Sequence, residues 1–175
     1  IMHLESLLAD LDSQFEQYER SARAAQAWEL AEAEAGRTAL VDRLRAVEGG
    51  ALTVTTRSGR VASGKLLQAR QEFLLLRAGD ASQMLVPMGA VVSVRGVGRQ
   101  LETTPSRRVS YTVAAVLRQI MRTKRPARFN TAAGDITGRI IRVGADHVDV
   151  LSVDKRDLSD RVTLILSAIE IVTSI

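Results

Sequence analysis

The segments GKLLQARQEFLLL (64–76) and GRIIRVGADHVDV (138–150) write one pattern twice, 74 positions apart. Each opens with a glycine and a cation, followed by two aliphatics, a polar residue and a small apolar residue. A short polar patch with a carboxylate follows, then a ring at the tenth position and an apolar close. A fixed internal offset of this kind constrains the fold before any single residue does, because it asks for one structural unit built twice.

The residues around the two segments describe that unit. From Leu52 the apolar period changes from helical to alternating. LTVTT, RVASGKLLQA, EFLLLRA, QMLVP and VVSV are short β segments, separated by the turn signals RSG, RQ, AGDAS and MGA. Five short strands with closely spaced turns predict a small, strongly bent barrel. Gly64 inside a strand marks a bend or a close backbone approach. The second copy reads ARFNTAAGD, ITGRIIRVGA, HVDVLSVD, RVTLIL and EIVTSI.

A helix is expected before each block. Leu40, Val41, Leu44 and Val47 face one way ahead of the first, and Gly49-Gly50 ends that helix. Ahead of the second, Thr104 offers an N-cap with Pro105 behind it. Val109, Val113, Val116, Leu117 and Ile120 then form an apolar face. The first 36 residues form a further helix, with Leu4, Leu7, Leu8, Leu11, Phe15, Tyr18, Ala22 and Ala25 on one stripe and Gly36 at its end. Two uses of that stripe stand open: packing on the rest of the chain, or a surface for a partner protein or a second copy.

The expected class is therefore α+β: N-terminal helices, then two small five-stranded Sm/SH3-like barrels, each preceded by a helix. The boundaries are 2–36 for the amphipathic helix, 37–98 for the first helix and barrel, 99–105 for a linker, and 106–175 for the second helix and barrel.

These residues resemble the Sm-like fold, a helix followed by a five-stranded SH3-type barrel, over about 37–95 and 106–175. Gly59, Gly64 and Leu66 match that family's first motif. Gly134, Gly138 and Ile140 match it one residue short, which predicts a different hairpin in the second copy. The family's uridine-pocket positions fall on Arg70 and Gly144, Leu74 and Val148, Pro87-Met88 and Ile165-Leu166, so that pocket is not expected here. The whole chain also resembles an uncharacterised actinobacterial family sometimes labelled transcriptional regulator.

Charge narrows the function. The chain carries 24 Lys/Arg and 20 Asp/Glu, but they are not evenly spread. Residues 1–50 have a net charge of −5 and residues 96–130 a net charge of +7. A basic middle suggests an anionic partner. Arg107, Tyr111, Arg118 and Arg122 fall on one stripe of the expected third helix, and Arg108, Lys124, Arg125 and Arg128 extend the charge. Guanidiniums and a phenol on one face suit phosphate contacts and base stacking.

Catalytic constellations are thin. With no cysteine there is no thiol chemistry and no Cys-based zinc site, which fits a reducing compartment. His147 replaces the ring of Phe73 and reads as a half-buried structural histidine. Asp154, Asp157 and Asp160 lack the ligand spacing of a calcium loop. No catalytic residue, cofactor or metal is expected. Nor is a membrane span or secretory signal, so the expected location is cytoplasmic. Two functions remain in view: a non-catalytic nucleic-acid-binding protein gripping RNA or DNA backbone, and a protein-interaction scaffold using helices and barrel edges.

Overall fold

The computed structural model describes residues 4–36, 38–79, 81–98, 111–153 and 161–175, with the side chains of 4–12 and 34 left aside. The chain divides into two compact units, 1–39 and 40–175.

The first unit is the helix α1 (Leu4–Ala35). Its Ala, Glu and Gln content favours helix at nearly every position. Arg20–Glu16 and Arg23–Glu19 pairs, at 3.3 and 3.2 Å, span single turns. Such exposed pairs add only a few tenths of a kcal/mol each. Every side chain described from Ser13 to Ala33 is exposed, including Phe15 and Tyr18 of the apolar stripe and the nearby Trp28.

The second unit is the repeat. After α2 (Leu40–Arg45) come β1 (Ala51–Thr56), β2 (Val61–Ala69), β3 (Phe73–Ala78), β4 (Ser82–Pro87), a 3-10 turn at Met88–Ala90, and β5 (Val91–Arg95). After α3 (Val113–Thr123) the series recurs as β6 (Ala127–Thr131), β7 (Gly134–Val143), β8 (His147–Ser152), β9 (Arg161–Ile165), a 3-10 turn at Leu166–Ala168, and β10 (Ile169–Ser174). The α+β class holds. The described strands form one antiparallel sheet in the order β5-β1-β2-β3-β4-β10-β6-β7-β8-β9. Each half therefore repeats the same strand order, and the halves join where β4 pairs with β10, Leu85 opposite Val172 and Met84 opposite Thr173.

The repeated glycines explain the shared bend. A Cβ on Gly64 would overlap the carbonyl oxygen of Arg77, and one on Gly138 that of Leu151. Only glycine lets the neighbouring strand approach so closely. Just beyond each, the ladder slips by one residue, between Leu66 and Gln68 in β2 and between Ile140 and Arg142 in β7. Such bulges sharpen local twist. The expected hairpin difference is present: residues 57–60 connect β1 to β2, and only Ala132-Ala133 connect β6 to β7.

Two apolar cores result, and they exchange side chains. One gathers Val41, Leu44, Leu52, Val54, Leu66 and Leu74 from the first half, together with Ile171 from β10. The other gathers Leu117, Phe129, Ile140, Val148 and Val150 from the second half, together with Phe73 and Leu85. Around this junction Glu170 is buried. Its carboxylate accepts from Thr56 Oγ1 at 2.9 Å, from the Ser58 amide at 3.1 Å and from the Ser58 hydroxyl. Arg57 donates to the Ser167 carbonyl, and Arg60 pairs with Asp135 at 2.7 Å.

Candidate nucleic-acid interface

The third helix begins later than its sequence pattern suggests. Thr112 is its N-cap, extended at φ −80° and ψ 157°, and its side chain accepts from the Ala115 amide at 3.0 Å. A threonine hydroxyl that accepts from the third amide sets the first turn of the helix at that point. Glu72, from the turn between β2 and β3, accepts from the Val113 amide at 3.2 Å, placing a carboxylate at the positive helix end. Tyr111 therefore precedes α3 and is not part of a helical stripe, a correction to the expectation. Thr104, Pro105, Arg107, Arg108 and Val109 lie outside the described residues, as do Asp154, Asp157 and Asp160.

The apolar face of α3 forms as expected. Leu117 is fully buried, and Val113, Val116 and Ile120 pack partly against the second core. At ~100° per residue, Arg118 and Arg122 point away from that face, and both are exposed. Lys124 caps the helix in the left-handed conformation, with φ 56°. Arg125 follows it, and Arg128 is exposed on β6. Arg122 sits in the last turn, where a cation complements the negative helix end. The structure thus gathers Arg118, Arg122, Lys124 and Arg125 along one side and the end of α3, with Arg128 just beyond on the adjoining strand.

Among the described residues of the 40–175 unit, none of these five cations is paired with a carboxylate. Arg45 and Arg60 of the same unit are paired, with Asp42 and Asp135. The polar contact at the stripe is to a neutral group: Arg122 donates to Gln119 Oε1 at 3.4 Å. Arg118 also borders a wide cleft of about 810 Å³ with Glu72, Thr112, Met88 and Ser167, where the two 3-10 turns meet.

Tyr111 is held elsewhere. The Arg70 guanidinium lies 5.9 Å from its ring centroid, a cation–π contact of about 0.5–1 kcal/mol at an exposed site. Beside it, between α3 and strands β2–β4, is a second cavity of about 450 Å³. No pattern in the sequence marks this cavity, because its walls come from three separated segments.

His147 is half-exposed, and its Nδ1 lies 2.8 Å from Asp146 Oδ1. The hydrogen bond from His147 holds the Asp146 carboxyl below its ordinary range. Among the described residues no three His, Asp or Glu side chains gather to hold a metal ion, and no helix is long and apolar enough to cross a membrane. Comparison with protein-family models and with curated proteins finds no match.

Proposed function

We propose that the chain is a non-catalytic nucleic-acid-binding protein that grips phosphate backbone through α3 and the residues after it. In this reading each half of the sheet is a small Sm-like barrel. The repeated strand order, the preceding helix and the 3-10 turn before the last strand all support that. The observation that carries the function is the set of five exposed cations, Arg118, Arg122, Lys124, Arg125 and Arg128, without carboxylate partners among the described residues of their own unit. Solvated cations of one sign neutralise phosphates and release counterions without reading sequence.

Titration of labelled single-stranded RNA and DNA at several salt concentrations tests this. Binding at about 10⁻⁴–10⁻⁶ M near physiological salt is expected, falling log-linearly as salt rises. Arg118→Glu with Arg122→Glu should remove it and leave the circular dichroism spectrum unchanged, since neither side chain is packed. Absence of binding at low salt would refute the proposal.

A second reading, a protein-interaction scaffold, is favoured by α1, where Phe15 is 65% and Tyr18 74% exposed. Large rings left in water along one helical stripe suit a partner helix or a second copy. Light scattering separates this reading, since it expects a mass above 19.0 kDa that falls to the monomer with Phe15→Glu.

A further inference from the structure

We infer that the 450 Å³ cavity between α3 and strands β2–β4 is a slot for one unstacked nucleobase of a bound single strand. The inference rests on the backbone-binding reading and deepens it, because it turns a sequence-blind grip into one that also holds a base.

The cavity is graded from apolar floor to polar rim. Phe73 and Leu85 at its floor are buried, Leu75, Ala115 and Val116 are half-buried walls, and Gln68, Tyr111 and Gln119 are exposed. A mostly apolar cleft with a few convergent polar groups is the ordinary form of a small-molecule site, and about 300–1,000 Å³ is its usual size. Here the apolar walls suit the faces of a flat ring and the rim suits its edge. Tyr111 supplies a π surface that Arg70 already steadies from one side. Base–aromatic stacking does not depend on which base is present.

The rim amides add a preference. Arg70 donates to Gln68 Oε1 through two nitrogens, each at 3.4 Å. Arg122 donates to Gln119 Oε1, also at 3.4 Å. With both carbonyl oxygens engaged by guanidiniums, each glutamine presents its NH₂ as a donor. Two donors at the mouth favour bases with exocyclic carbonyls over adenine, which has none. Gln119 also ties the slot to the cationic stripe. Its partner Arg122 stands on the next turn of α3, so a base in the slot and a phosphate on Arg122 belong to neighbouring parts of one strand.

The test compares three 12-nucleotide strands of equal phosphate number against the full chain at one salt concentration: oligo(dT), oligo(dA) and an abasic strand. Fluorescence anisotropy should show oligo(dT) binding about five- to hundredfold tighter than the abasic strand, with oligo(dA) between them. Ala115→Leu fills the slot without touching a cation. It should bring oligo(dT) to the abasic level while abasic binding stays the same. Gln119→Ala, on the exposed side of the helix, should narrow the gap between oligo(dT) and oligo(dA). Equal affinity for abasic and base-bearing strands would overturn the slot and leave the backbone reading standing. No binding by any of the three at low salt would overturn both.

Discussion

Ile171 is the sharpest probe of how the two halves depend on each other. It belongs to β10, in the second half, yet its side chain is 5% exposed and sits in the core of the first half. Ile171→Ala removes three carbons from that core. At about 0.8 kcal/mol per buried methylene the transfer loss is ~2.4 kcal/mol. The cavity left behind brings the expected cost to about 2–5 kcal/mol. Urea denaturation followed by circular dichroism reads the total, and hydrogen exchange reads its location. If the cores are interlocked, amides of β1–β3 lose protection together with those of β6–β8, and the unfolding remains a single transition. Loss of protection confined to the second half, or a change under 1 kcal/mol, would show that Ile171 does not complete the first core.

Leu117→Ala should cost a similar ~2–5 kcal/mol, because Leu117 is fully buried; an unchanged melting temperature would show that α3 is not part of the second core. Gly138→Ala should destabilise by about 1–3 kcal/mol, since the new methyl meets the Leu151 carbonyl; thermal unfolding of the purified variant checks it. Glu170 gives a pH prediction. Burial raises its carboxyl pKa, but the hydrogen bonds from Ser58 and Thr56 and the nearby Arg57 outweigh that and hold it below 4.5. Its folded pKa being depressed, its contribution is present above about pH 4.5 and is lost as pH falls through the lower folded value. Glu170→Gln should therefore flatten the acid limb of a stability–pH curve, and an unchanged acid limb would refute the assignment.

Local features of the fold are legible in the sequence, because each is encoded within a dozen residues. The strand bends at Gly64 and Gly138, the shorter second hairpin and the apolar face around Leu117 all follow from periodicity and glycine placement. The start of α3 is not, since Thr104-Pro105 and Thr112 both carry cap chemistry and only packing decides between them. The β4–β10 pairing has no local signature either, as Leu85 and Val172 lie 87 residues apart in the sequence. Glu170 does leave a trace: it is a lone acid among the aliphatics of the last strand, where the first copy has Val92. At the candidate site the cations of α3 are visible as composition. The slot beside Tyr111 is not, because Phe73, Leu85 and Ala115 lie in three different elements.

The exchanged side chains also set an order of events on the ribosome. All five strands of the first half have been translated once Arg95 is added, but Ile171 follows only 76 residues later. At about 5–20 residues per second this interval is roughly 4–15 s. Throughout it the edge of β4 away from β3 has no partner, Phe73 and Leu85 lack their cover, and the nascent first half waits with an incomplete interior. Any β10 that arrives will fit, including one from a neighbouring ribosome on the same message. Crowded translation is therefore the condition under which this chain would trade its last strand with another copy and emerge as an intertwined pair.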